Sequence, residues 1–279
     1  MYFPQFFLKK KEDLPPLRTF LARDQEVLSY RFYNGIDSDK VILCLHGSGS
    51  HGEYLHDLAK FLFKEVGDII VSNLRGHFGS GKKAGDCAYI GQLEDDVMDL
   101  IQKLNLKGKR VFLLGHSSGG GLIIRLAGSN YRKAFAGYIL LAPAIPSAPT
   151  MKKKSSWADV SMFKIVSLSF LNGFGIRCFN HCNVIFFHMP NEFRNGTETL
   201  TYSFNLNSSY HPRIPYDSDI KGLDDKYICF VGDEDELMES TEYKKIMSED
   251  KVKIIAKEKH LSLVLNKSVM EAIVEWIKN

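Results

Sequence analysis

Val111-Phe112-Leu113-Leu114-Gly115-His116-Ser117-Ser118-Gly119-Gly120-Gly121 is the stretch from which the rest of the chain can be read. Residues 111–114 form an apolar run of strand length, and Gly115-His116-Ser117-Ser118-Gly119 matches G-x-S-x-G at the junction from that strand to a predicted helix. A serine at such a junction must turn sharply with strained backbone angles. Flanking glycines are needed there because side chains would collide with the neighbouring strand and helix. The pentapeptide alone is a modest signal. Between an apolar strand and a helix it is a strong one, and it makes Ser117 a candidate nucleophile.

Working outward, apolar and β-branched runs recur at residues 17–21, 27–32, 41–45, 69–71, 111–114, 138–141, 228–231 and 252–255, and they read as eight strands. Leu93, Val97, Leu100, Ile101 and Leu104 fall on one helical face, as do Val269, Ile273, Val274 and Ile277. Strand and helix alternate from about residue 41, which predicts a mostly parallel sheet flanked by helices in a single α/β domain over 1–279. The first two runs are separated by a short Asp24-Gln25 turn and should form an antiparallel hairpin at one edge. Between about residues 146 and 216 the alternation breaks. This stretch reads as an inserted cap, rich in Phe, Ser and Asn. Its aromatics Phe163, Phe170, Phe174, Phe179, Phe186, Phe187 and Phe193 are expected to face a core or a ligand.

The 279 residues, 44% hydrophobic and 25% charged, suffice for a sizeable core, and a formal net charge of +3 gives no footprint for nucleic acid. Cys44 and Cys229 sit in apolar runs. With Cys87, Cys178 and Cys182 they make an odd set that reads as thiols in a reducing, cytoplasmic compartment. Cys178, His181 and Cys182 lack a second ligand pair at zinc spacing, so no metal is expected. No apolar run reaches the roughly 18 residues of a membrane span. The aromatic start followed by Lys9, Lys10 and Lys11 is a candidate for peripheral membrane contact, although a tail packed on the sheet is the favoured reading.

A serine hydroxyl needs a base, and the base needs a partner that holds it. Asp233 and Asp235 follow the strand over 228–231, and His260 follows the last strand, so all would stand at the carboxyl edge near Ser117. His46-Gly47-Ser48-Gly49 reaches the same edge from the strand over 41–45. The backbone N–H groups of Ser48 and Ser118 are the candidate oxyanion donors, each such donor being worth about 10²- to 10³-fold in rate.

Taken together, His46-Gly47-Ser48-Gly49, Asn73-Leu74-Arg75-Gly76-His77, the turn around Ser117, the Gly232-x-x-Asp235 step and His260 resemble the serine aminopeptidase and monoacylglycerol lipase branch of the α/β-hydrolases. The resemblance covers most of the chain outside the insertion. It implies an α/β-hydrolase fold, an acyl-enzyme mechanism without a cofactor, Ser117, Asp235 and His260 as the catalytic residues, and Asp235 rather than Asp233 as the acid. It departs from the family pattern at Phe78, which interrupts Arg-Gly-His-Gly, and at Asn73, where Asp is usual. The expected substrate is a lipid or other small-molecule carboxylic ester such as a monoglyceride or lysophospholipid, with a peptide or amide as the alternative on the same triad. A rival of another class is NADP binding, because Gly47, Gly49 and Gly52 spell G-x-G-x-x-G after a strand. No acidic residue closes the next strand to hold a ribose, and Arg75 stands there instead. Gly76 to Lys82 approaches a phosphate loop, but Lys83 stands where Ser or Thr should hold Mg²⁺.

Overall fold

The computed structural model describes residues 3–4, 11–36, 39–152 and 156–279. The first two apolar runs pair as the antiparallel hairpin β1 (Leu17–Leu21) and β2 (Val27–Tyr33), with Gln25 taking a positive φ of 64° in the turn. Then come β3 (Lys40–Leu45), α1 (His56–Glu65), β4 (Asp68–Asn73), α2 (Gln92–Lys103), β5 (Arg110–His116), α3 (Ser118–Ala127) and β6 (Gly137–Leu141). A second, three-stranded antiparallel sheet follows, made of β7 (Ala158–Val160), β8 (Asn183–Phe187) and β9 (Thr201–Ser203). Helix α4 (Met162–Gly173) lies between its first two strands, and α5 (Phe204–Ser209) follows the third. After α6 (Asp217–Lys221) the chain returns to the main sheet as β10 (Tyr227–Gly232), α7 (Tyr243–Ile246), β11 (Val252–Ile255) and α8 (Lys267–Lys278).

The main sheet has eight strands in the order β1-β2-β4-β3-β5-β6-β10-β11, parallel from β4 onward. Strand β3 lies between β4 and β5, so the chain first crosses outward and then doubles back. Right-handed crossovers therefore put successive helices on opposite faces. Accordingly α1 packs with α8, and α2 with α3. A reversal of this kind leaves a crevice beyond the carboxyl ends of the strands where it happens, here β3 and β5. The loops carrying Ser48 and Ser117 therefore come side by side, as Leu45 opposite Gly115 in the register already shows.

Val41, Ile42, Leu43, Cys44 and Leu45 have no exposed surface, as expected for a strand covered on both sides. Each large aliphatic so buried contributes about 1.5–3 kcal/mol. Helix α8 buries Val269, Ile273, Val274 and Ile277, the face its spacing predicts, and the Asn266 side chain caps it by accepting from the Val269 N–H at 3.0 Å. Arg75 is buried between the hairpin and α2, held by Asp96 at 2.7 Å, Glu26 at 2.8 Å and Asp24 at 2.9 Å.

The aromatics of the segment between β6 and β10 do not behave as the sequence suggests. Phe163, Phe170 and Phe174 are 83%, 67% and 71% exposed, and Phe179 and Phe186 are exposed too. Among the seven expected to face a core or a ligand, only Phe187 is buried and Phe193 half-buried. Helix α4 is apolar nearly all round and anchors inward through Leu168, which packs with Val184 and Phe204. The pattern gave no sign of which side was to be covered.

Candidate active site

Ser117 lies at the turn from β5 into α3 with φ 55° and ψ −121°, a conformation that costs an L-residue on the order of 1–3 kcal/mol. The glycines around it are explained by crowding. A Cβ on Gly115 would stand 2.5 Å from the Gly119 carbonyl, and one on Gly119 would stand 2.2 Å from the Leu45 carbonyl oxygen. Strand and helix can therefore cross this closely only without side chains.

Asp235 and His260 meet as neighbours of this turn. His260 Nδ1 stands 2.8 Å from Asp235 Oδ2, and both side chains are fully buried. The other carboxylate oxygen accepts the N–H groups of Leu237 at 2.8 Å and Met238 at 2.9 Å. Burial alone would raise the Asp235 pKa. The adjacent imidazole and the two N–H donors outweigh it and hold the carboxyl below the usual range. An ionised Asp235 makes Nδ1 the protonated nitrogen of His260, leaving a lone pair on Nε2. That atom is buried and has no hydrogen-bond partner among the described residues. Asp233, the other acid weighed from sequence, is exposed and caps the Lys257 N–H at 2.6 Å instead.

Ser117 and His260 line one pocket, together with Ser48 and an apolar wall of Phe3, Trp157, Met189 and Leu261. The described part of the aromatic start thus packs on Trp157, Met189 and Leu261 rather than on the sheet. Lys9, Lys10 and the other aromatics of that stretch lie outside the described residues. Lys11 pairs with Asp57 at 2.6 Å.

The loop after β3 is fixed by groups that carry no signal in the sequence. The Tyr54 hydroxyl accepts the Gly47 N–H at 2.7 Å and the Tyr202 hydroxyl accepts that of Gly49 at 2.9 Å. Tyr54 in turn donates to His116 Nδ1 at 2.9 Å, and His116 Nε2 donates to the His260 carbonyl at 3.0 Å. Burial pushes the His116 pKa down to about 3, so the ring stays neutral and can both accept and donate. One hydrogen-bonded line thereby runs from the Gly47 amide to the backbone of His260. Between Gly47 and Gly49, the Ser48 N–H is bonded to none of the described residues; nor is the Ser118 N–H, in the first turn of α3, where helix geometry supplies no acceptor.

The two departures noted in the sequence are accommodated. Asn73 ties three segments, accepting the Gly52 N–H at 2.9 Å and donating to the Phe78 carbonyl at 2.9 Å and to Ser29 Oγ at 3.1 Å. Phe78 lies against the His51 ring. The dinucleotide reading loses its footing: the position of a Gly47 Cβ is 3.0 Å from Ser117, and that of Gly49 is 3.0 Å from the Trp157 ring, where a pyrophosphate would have to pass. Cys178 and Cys182 are exposed thiols, and His181 between them bonds Asp86 at 2.8 Å.

An eight-stranded, mostly parallel sheet with a strained serine between β5 and α3 and a His–Asp pair at the same edge defines the class: the chain is an α/β-hydrolase. A family model described as "Serine aminopeptidase, S33" matches residues 36–174. Monoglyceride lipase of Rattus norvegicus is 29% identical over 167 residues, covering 58% of this chain and 50% of that protein; the Homo sapiens protein of that name is 27% identical over the same length and coverage. The match thus spans half the length of these curated relatives. A soluble variant of monoglyceride lipase from Saccharomyces cerevisiae, solved with a substrate analogue, superposes with a TM-score of 0.69 at 16% identity over 96% of both chains. Within the α/β-hydrolases, these likenesses are to the serine aminopeptidase and monoglyceride lipase branch. Among the described residues, no helix is long and apolar enough to cross a membrane.

Proposed function

We propose that the chain is a serine hydrolase that cleaves carboxylic esters of lipid acyl chains, with Ser117 as nucleophile, His260 as base and Asp235 as the group that orients the base. The carrying observation is the His260–Asp235 pair at 2.8 Å, whose remaining ring nitrogen is unbonded beside the pocket that Ser117 lines. In this reading Ser117 Oγ attacks the carbonyl carbon while its proton passes to His260 Nε2. The C=O electron pair moves onto the oxygen, which the Ser48 and Ser118 N–H groups receive. Collapse expels the alkoxide, which takes the proton from His260, and leaves an acyl-Ser117 ester. Water, deprotonated by the same nitrogen, then releases the acid and restores the hydroxyl.

Two features favour a lipid ester. The cavity wall opposite the serine is apolar, and no carboxylate lines it among the described residues to receive a peptide α-ammonium. The exposed Phe163 and Phe170 of α4, and Phe174 just after it, form an apolar face in a stretch, residues 160–191, that has Lys164 and Arg177 but no acidic residue. Such a face suits an anionic lipid surface, where an ester substrate of this kind resides. The test is hydrolysis of p-nitrophenyl esters of rising chain length beside aminoacyl anilides. Preference for long chains is expected, with Ser117→Ala reducing kcat by about 10⁴-fold or more. Activity confined to anilides would replace the lipid reading by the peptidase one, and unchanged turnover in the alanine variant would remove Ser117 from the mechanism.

A further inference from the structure

Ser48 and Ser118 also meet through their side chains, 70 residues apart in sequence, with Oγ···Oγ at 2.6 Å. Ser118 Oγ stands 3.3 Å from His211 Nε2, and His211 Nδ1 stands 2.8 Å from the Asn207 carbonyl. We propose that these two hydroxyls and the His211 imidazole form a brace that sets the spacing of the two oxyanion N–H donors, making Ser48, Ser118 and His211 positioning residues for ester hydrolysis.

The proton order along the brace follows from its end. A carbonyl can only accept, so His211 Nδ1 carries the hydrogen and Nε2 offers a lone pair. Burial keeps the ring neutral, its pKa pushed down to about 4. Ser118 therefore donates to His211, and Ser48 donates to Ser118. Every hydroxyl proton is committed in one direction, and the two serine oxygens are locked at a short separation.

This matters because the two N–H groups belong to different segments, one in the loop after β3 and the other in the first turn of α3. An oxyanion hole gains its advantage from donors fixed before charge develops, and a displacement of a few tenths of an ångström already weakens them. The loop is held at Gly47 by Tyr54 and at Gly49 by Tyr202. Those bonds fix the loop to the segments carrying the tyrosines and, through Tyr54 and His116, to the end of β5, but not to α3 itself. Among the described residues, the Ser48–Ser118 bond is the side-chain link between the two residues whose amides would bind the oxyanion.

The proposal rests on the ester-hydrolase reading, and the experiment separates the two. Ser48→Ala, Ser118→Ala, the double variant, Ser48→Thr and Ser117→Ala are compared with the wild type for kcat and KM on a p-nitrophenyl ester. Inhibition by an alkylboronic acid, whose tetrahedral adduct places an oxygen in the hole, is measured in parallel. Each alanine variant is expected to lose about 5- to 20-fold in kcat, less than loss of a whole donor, with KM within twofold and boronate affinity falling in step with kcat. The double variant should be no worse than the poorer single one, because one bond is lost in all three. Ser48→Thr, which keeps the hydroxyl, should recover most of the rate. Losses that multiply, a change in KM alone, or wild-type boronate affinity in both alanine variants would overturn the brace while leaving Ser117-dependent hydrolysis standing. If Ser117→Ala turns over like the wild type, the underlying reading falls and the brace falls with it.

Discussion

The sheet edge around Ser117 and the outer helix α4 use apolar residues and glycine to opposite ends. In β5, Leu113 and Leu114 are wholly buried; in α4, Phe163 is 83% exposed. A Cβ on Gly119 would collide with the end of β3, whereas one on Gly173 meets nothing within 4 Å. At the edge, contacts within the chain dictate each residue, since strand and helix leave no room for alternatives. In α4 the chain covers Leu168, with Ile165 and Leu171 partly buried beside it, and the described residues leave the outer face exposed.

The contrast is most easily broken at the two glycines. Gly119→Ala should destabilise by about 3 kcal/mol, the upper end of overpacking costs, because the obstacle is backbone that cannot rotate away. It should also abolish ester turnover by pushing α3 off β3. Urea unfolding with a kinetic assay would check both, and a stable, active Gly119→Ala would mean that the turn is far looser than its 2.2 Å clearance implies. A second large effect concerns the buried histidines of the edge. Burial lowers the pKa values of His51, His77 and His211 to about 4, and that of His116 to about 3. An unfolded histidine takes up its proton near pH 6.5. Between about pH 6.5 and 4 the unfolded chain thus binds more protons, and stability falls as pH falls. With several such groups, the slope in that window should exceed the roughly 1.4 kcal/mol per pH unit of a single proton. Below about pH 4, loss of the stabilised Asp235 carboxylate adds to it. A denaturation midpoint that stayed flat from pH 7 to 4.5 would mean that these rings are solvated.

The same contrast explains what could be read beforehand. All eight strands of the main sheet lie where their apolar runs fall, and Ser117, Asp235 and His260 follow strand ends, because in a parallel sheet position along the strand fixes the edge on which the next residue stands. Tyr54, Tyr202 and His211 left no trace: their roles depend on where a hydroxyl or ring nitrogen arrives after packing, and neither period nor turn chemistry encodes that. The aromatics of α4 misled for another reason. Hydrophobicity in sequence signals that a side chain avoids water, not that its partner belongs to the same chain.

Smaller effects sharpen the comparison from the α4 side. Gly173 ends α4 without a positive φ and with open space about it, so Gly173→Ala should raise stability by about 0.5–1 kcal/mol through the unfolded state. A loss of stability instead would reveal packing at that end of the helix. Phe163→Ser should move stability least of all, by no more than about 0.5 kcal/mol, since a side chain that is already in water gives up little on replacement. Its consequence should appear at an interface. Sedimentation with vesicles of anionic phospholipid should bring down less of the variant than of the wild type, and hydrolysis of an emulsified long-chain ester should slow while that of a soluble short-chain ester does not. Equal binding by both would make the apolar face of α4 incidental, and would leave the Ser117 edge as the only part of this comparison with a function attached to it.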